Sequence, residues 1–184
     1  MKILMFDRVP EAVAWAKNRI GLVGASGDVT AISLVDDKDE FQAVTVYSCY
    51  TNQNIDMHIA ALPTRNWLSR SYFNASFYLP FKILQVPRVT GLIRAENLNA
   101  QRFVRRLGFQ HEGRMRKAFE DGGDLMLYGF LLEEYEKHPW SKYEVDKGTV
   151  KFGPGTPLKG ASTGPGSSRE AGGTATVEIG RAHV

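Results

Sequence analysis

Residues 96–116 read ENLNAQRFVRRLGFQHEGRMR, and the rest of the chain is read outward from them. Asn97 is a good helix N-cap, because its side-chain oxygen accepts from an orphan backbone N–H of the first turn. From Leu98 the spacing is helical. Leu98, Phe103, Val104 and Leu107 are predicted to share the apolar face, with Gln101, Arg102, Arg105 and Arg106 opposite. Gly108 stands where a left-handed residue ends a helix. Arg105 and Arg106 suit the negative end of the helix dipole. Residues 88–95, RVTGLIRA, read as a strand, and residues 123–132, GDLMLYGFLL, as another. The local prediction is strand, capped helix, glycine stop, turn, strand. That unit is common and specifies no function by itself.

Composition bounds the rest. The chain has 184 residues, 43% hydrophobic and 23% charged, which suits one globular domain with extensions. A net charge of +3 is too mild to imply nucleic-acid binding, and a basic groove for an anionic ligand explains it equally well. Specific nucleic-acid binding would need aromatic residues interleaved with Lys and Arg on one sheet face, and the strands do not show them. Cys49 is the single cysteine, so no internal disulfide forms and a reducing, cytoplasmic setting is expected. It falls in an apolar strand pattern and reads as a small core residue. Residues 1–8 are too short, and carry Asp7, for a secretory signal. No apolar run reaches membrane-spanning length, so no membrane partner is expected.

In chain order, residues 2–6 form a short strand. Pro10 opens a helix that Gly21 ends. Residues 24–27, GASG, lack the Lys-Ser/Thr of a phosphate loop and read as a plain connection. Residues 30–35 and 41–50 make a hairpin around the polar turn Asp36-Asp37-Lys38-Asp39. Residues 55–62, IDMHIAAL, form a strand with Ile55, Met57 and Ile59 on one face and Asp56, His58 and Ala60 on the other. Thr64 is expected to cap a helix over 65–79, stopped by Pro80. The domain is expected to span residues 1–140. Half of the 18 glycines fall after Asp146, among Pro, Ser and Thr, so residues 141–177 read as a disordered tail. Residues 178–184, EIGRAHV, match the translation of a widely used sequencing-library adapter. They are expected to be read-through and are excluded from functional reasoning.

The identities in the opening stretch carry a resemblance. Asn97, Ala100, Leu107-Gly108-Phe109, Glu112-Gly113, Arg116, Asp124 and Tyr128 form an ordered set. That set resembles the C-terminal half of the GNAT superfamily of acyl-CoA-dependent N-acyltransferases. It is most similar to the ribosomal-protein alanine acetyltransferase subgroup and to related proteins of bacterial viruses. The resemblance extends loosely from Thr30 to Glu134. It implies an α/β fold, a mixed, mostly antiparallel sheet splayed in a V with helices on both faces. It implies acetyl-CoA as co-substrate and a primary amine, such as a protein N-terminus, as acceptor. A homodimer is a candidate assembly.

By that resemblance the CoA diphosphate meets the loop and helix start containing Arg65, Trp67, Arg70 and Ser71. The family places glycines there and this chain has none. The backbone of Ile59, Ala60 and Ala61 is the candidate edge for the CoA arm. Asn97 reaches that arm, or is a simple helix cap; both roles are compatible. Arg102, and Phe103 beside it, are further cofactor candidates, with a solvated face the alternative for Arg102. A lysine-like amine near pKa 10.4 costs roughly 4–5 kcal/mol to deprotonate at pH 7, and an α-amine near 8 only about 1 kcal/mol. A modest base therefore suffices for an α-amine. His58 and Asp56 are the candidates, with Glu96 behind them; the alternative for His58 is a hydrogen-bonded structural histidine. The tyrosine many relatives use as a general acid is Val104 here. Tyr128 is a substitute or a packed strand residue. No metal site is expected. A catalytically degenerate, CoA-binding or structural module is the second reading of the chain.

Overall fold

The structure, a computed structural model, describes residues 2–22, 28–64 and 67–142. The GASG connection, Arg65, residues 143–177 of the tail and the stretch 178–184 lie outside the described residues. Seven strands form one sheet: β1 (Ile3–Met5), β2 (Thr30–Val35), β3 (Phe41–Ser48), β4 (Ile55–Ala61), β5 (Arg88–Arg94), β6 (Gln110–Met115) and β7 (Leu125–Leu131). Their order is β1-β2-β3-β4-β5-β7-β6. All neighbours are antiparallel except β4 and β5. The helices are α1 (Val9–Ile20), α2 (Arg70–Tyr78), α3 (Leu98–Leu107) and α4 (Leu132–Lys137), with a final short turn at Pro139–Lys142.

The single parallel pair decides the shape. β4 and β5 are in register only at Ile55↔Val89 and Asp56↔Thr90. β4 stays paired with β3 as far as Ala61, and β5 stays paired with β7 as far as Arg94. From Met57 and Gly91 onward the two facing edges have no strand partner. The sheet opens there into a V, which matches the splayed mixed sheet expected from the sequence.

Helices cover both faces. Ala12 and Ala16 of α1 pack against Ala31, Val44, Val46 and Ala60. Small residues on both sides let α1 sit close to the strands. The opposite face carries the larger core, with Tyr47, Tyr72, Phe77, Phe81, Phe109, Phe130 and Tyr135. Phe81 stacks on Tyr135 at 4.8 Å and Phe77 meets Phe130 edge-on at 5.4 Å. Each such buried ring is worth about 1.5–3 kcal/mol of transfer free energy, which anchors α2 and α4 to the sheet.

Several local expectations need correction. Ser69, not Thr64, caps α2, its hydroxyl accepting from the Tyr72 amide at 3.3 Å. The α-helix ends at Tyr78, just before Pro80, but the helical path does not stop there. The backbone widens into a π turn over Leu79–Ile83, with Leu84 N–H bonding Leu79 C=O at 2.9 Å. A proline has no N–H for the carbonyl four residues back. Here that carbonyl, Ser76, accepts from the buried Tyr47 hydroxyl at 2.6 Å. Cys49 is not in the core: it follows β3, half-buried, with φ of 52°. β6 was expected to be turn, because QHEGRM has no apolar alternation. It forms by pairing with β7, and its side chains are mostly exposed.

Gly129 of β7 has a specific reason. A register shift between His111 and Gly113 leaves Glu112 in a bulge. Its carboxylate reaches across β7 to the Arg88 guanidinium in a two-pronged ion pair. A Cβ on Gly129 would lie 2.7 Å from Arg88 Nη1. Glycine leaves the room for that pair.

Candidate active site

The open end of the V is a cavity of about 610 Å³. The free edges supply Met57, His58, Ile59 and Ala61 from β4 and Gly91 to Arg94 from β5. The first turns of α3 add Asn97, Ala100, Phe103 and Val104. Trp67 closes one wall, packed on Phe103 at 5.5 Å and Phe73 at 5.8 Å. Arg19, Ile20 and Leu22 from the end of α1, with Phe119 from the β6–β7 loop, complete it.

His58 is 7% exposed on β4. It lies opposite Val46, and its strand neighbour Ala60 packs under α1, so its side chain is on the α1 face. Nε2 lies 3.2 Å from the Ser48 hydroxyl. Burial lowers its pKa below the usual histidine value, partly offset by the Asp56 charge. The ring is therefore neutral at pH 7. In the tautomer with the proton on Nε2, that N–H donates to Ser48 Oγ and Nδ1 keeps the lone pair. Ser48 was not singled out in the sequence. Its only signal is that it pairs across β3–β4 with Asp56, next to His58.

Asp56 shares the face of His58 but not the cavity. It sits at the closed end of the V, where β4 and β5 are paired, and is 8% exposed. Its carboxylate accepts from Asn54 Nδ2 at 3.0 Å. Asn54 in turn accepts from Thr90 Oγ1 at 2.6 Å, and Thr90 accepts from Arg88 Nε at 3.1 Å. Asp56 thus begins a chain of polar contacts ending at Glu112, whose carboxyl pKa the Arg88 hydrogen bond lowers. Glu96 is likewise away from the cavity, exposed on the turn after β5 beside Gly123. Neither carboxylate is among the residues that line the cavity, whereas His58 is.

The cofactor candidates divide in the same way. Ile59, Ala61, Trp67, Asn97 and Phe103 line the cavity. Ala60 does not: strand alternation turns its methyl under α1, fully buried. Arg70 and Ser71 are in the first turn of α2 and Arg102 is on the exposed side of α3, outside the cavity. The helical turn that carries Arg102 outward carries Phe103 inward. Asn97 Oδ1 accepts from the Ala100 amide at 3.0 Å, so it is a helix cap and a cavity residue at once.

Two residues of α3 reverse the predicted face. Leu98 is 56% exposed and Gln101 only 7%. Gln101 Nε2 donates to the Ala95 carbonyl at 2.8 Å, and Oε1 accepts from the Tyr128 hydroxyl at 3.1 Å. An amide that satisfies a turn carbonyl and a buried phenol is cheaper to bury than its hydropathy suggests. Tyr128 is fully buried on β7 and does not line the cavity, which makes it a packed strand residue.

Among the described residues no group of three or more His, Cys, Asp and Glu could hold a metal ion. No helix among them is long and apolar enough to cross a membrane.

No protein-family model and no curated protein matches the sequence. The fold has many solved counterparts. A chimera of the spermidine N-acetyltransferase SpeG from Vibrio cholerae and hSSAT superposes with a TM-score of 0.60 at 13% identity, covering 74% of this chain and 99% of that one. SpeG from Vibrio cholerae in complex with manganese ions gives 0.58 at 13% identity, covering 74% and 95%. A putative acetyltransferase gives 0.54 at 22% identity, covering 64% and 63%. At these identities the likeness is one of fold. The chain has the GNAT acetyltransferase fold, a seven-stranded, mostly antiparallel sheet opened into a V and flanked by helices.

Proposed function

We propose that this chain is an acyl-CoA-dependent N-acetyltransferase that moves an acetyl group from acetyl-CoA to a primary amine, a protein N-terminus or similar α-amine. One observation carries the reading: β4 and β5 part after Asp56 and Thr90, leaving two unpaired strand edges around one cavity, with His58 on one of them. An amide-rich arm such as pantetheine needs that kind of edge, because its N–H and C=O groups replace the missing strand. The residues present fit it. The β4 backbone beyond Met57 is free on that side, and Trp67, Phe103 and Val104 give an apolar wall. The first amides of α2, with the Arg70 guanidinium nearby, suit a diphosphate without a glycine loop.

Bound acetyl-CoA supplies an activated acyl thioester. The β4 edge holds the thioester arm in the V. His58, on the α1 face, receives at Nδ1 the proton that the acceptor amine gives up as its nitrogen bonds the acyl carbon and the C–S bond breaks. Ser48 holds the ring in place, and the tautomer with its proton on Nε2 presents the lone pair at Nδ1. A departing thiolate, its thiol pKa about 8.5 by analogy with cysteine, needs no protein acid near neutral pH. That accommodates Val104 where a tyrosine would otherwise serve. The neutral, desolvated His58 is a modest base, which favours an α-amine over a lysine-like amine.

Calorimetry with acetyl-CoA, followed by CoA release against a panel of amines, tests the reading. Binding in the micromolar range and CoA release that depends on His58 are expected. No binding at high micromolar acetyl-CoA would sink it. Binding without release against any amine would favour the degenerate module, which the missing glycines and tyrosine motivate.

A further inference from the structure

We infer that the acceptor carries a carboxylate beside its amine, a statement that rests on the acetyltransferase reading above. The charge lining the cavity carries it. The charged side chains there are Arg19 and Arg94, and no Asp or Glu is among the described lining residues. Arg19 lies in the last turn of α1, its guanidinium 4.3 Å over the Trp15 ring. Among the described residues it has no carboxylate partner. Arg94 lies 3.8 Å over the Phe119 ring and is ion-paired with Asp121 through one N–H at 2.9 Å. A guanidinium has five N–H donors, so most of its fork stays available for a second carboxylate.

Position adds to charge. Arg19, Ile20 and Leu22 bring the end of α1 to the cavity, and His58 projects on the α1 face of the sheet. His58 and the Arg19 guanidinium therefore address the same side. Trp67 and Phe103 wall the other side, where the thioester arm lies. Aromatic faces under both guanidiniums hold them flat, the orientation that two-pronged carboxylate binding uses. The Arg19 cation, which has no carboxylate partner among the described residues, also lowers the pKa of an amine placed beside it, which helps His58 take its proton. A polyamine, with several ammonium groups and no anion, meets like charge here and finds no lining carboxylate.

The carboxylate has two sources, a free α-amino acid or a peptide with an acidic residue at or next to its N-terminus. CoA release is measured with acetyl-CoA and free aspartate, free glutamate, peptides beginning with Asp or Glu, the same peptides beginning with Ala or Lys, and spermidine. The acidic acceptors are expected to exceed the neutral, Lys-led and polyamine ones in kcat/KM by roughly tenfold or more, the scale of a partly shielded charge pair. Whether the free amino acids or the peptides lead identifies the source. Arg19→Gln should remove most of the preference, read as the ratio of kcat/KM for acidic and neutral acceptors, with a wild-type melting curve showing that the variant is folded; an unchanged ratio overturns the inference. Arg94→Gln should weaken the preference in the same direction. Turnover of spermidine or Lys-led peptides equal to or above the acidic ones overturns the inference and leaves the acetyltransferase reading standing. Absence of turnover with every amine overturns both.

Discussion

At the scale of single residues, His58 and Gly108 carry the sharpest expectations. His58→Ala should reduce kcat/KM by roughly 10²- to 10⁴-fold, the usual worth of a positioned base. His58→Gln, which can still bond Ser48, should fold as the wild type and be equally inactive. Wild-type activity in either variant would remove His58 as the base. The pH dependence has a definite sign. The folded pKa of His58 is lowered by burial, and so is that of His138. Below about pH 6.5 the unfolded chain binds more protons than the folded one, so stability falls as pH drops through the window below that value. A melting series from pH 7.5 to 5 should show the decline, and His58→Gln should flatten it. The acidic limb of the kcat/KM profile should lie below 6.5 for the same reason. Gly108 has φ of 110°, and an added Cβ would lie 2.9 Å from the Phe130 ring. Gly108→Ala should lower stability by about 1–3 kcal/mol, measured by denaturant unfolding. A loss below half a kilocalorie would contradict both the conformation and the contact.

At the scale of elements, α3 and the β6–β7 edge are each held by a few polar contacts. Asn97→Ala removes the cap of α3 and should cost about 1 kcal/mol of stability. Asn97→Ser should restore most of that loss. If Asn97 also touches the CoA arm, acetyl-CoA affinity falls in both variants, and calorimetry separates the two roles. Gly129→Ala forces the Arg88–Glu112 pair off β7. Arg88→Met in the same background should recover part of the stability lost by Gly129→Ala, because the displaced pair is then absent. Strict additivity in that double-mutant cycle would rule out the steric account. The exposed, polar β6 was not legible in the sequence. Its backbone pairs with β7, and no apolar alternation marks it. Gln101 was misread for a related reason: hydropathy assigns an amide to solvent, and only its two partners, Ala95 C=O and Tyr128 OH, explain its burial.

At the scale of the whole molecule, the V is both the weak point of the sheet and the proposed binding site. Backbone groups of β4 beyond Met57 and of β5 beyond Gly91 lack strand partners across the gap. A ligand that bonds to those edges stabilises the folded chain by mass action, about 2.7 kcal/mol at a hundred times its dissociation constant. Acetyl-CoA should therefore raise the melting temperature of the wild type and of His58→Gln alike. Hydrogen exchange should slow at Met57–Ala61 on addition of acetyl-CoA and stay unchanged at β2. A melting temperature insensitive to saturating acetyl-CoA would remove the cavity as its site.

The sequence by itself determined most of the local elements. Helix limits at Pro10, Gly21, Asn97 and Gly108, the β2–β3 hairpin and the alternation of β4 all follow from short-range chemistry, such as capping, left-handed glycine and period-two burial. The ordered motif around α3 pointed to the GNAT fold. Only the tertiary structure decided which candidates share a site. His58, Ile59, Ala61, Trp67, Asn97 and Phe103 meet around one cavity, and Arg19 and Arg94 join them. Asp56 is tied up at the closed end of the V, and Glu96 faces outward. The physical reason is that the divergence of β4 from β5 is a long-range event. Two strands joined through α2 part after two residue pairs, and nothing in either strand's own sequence marks where.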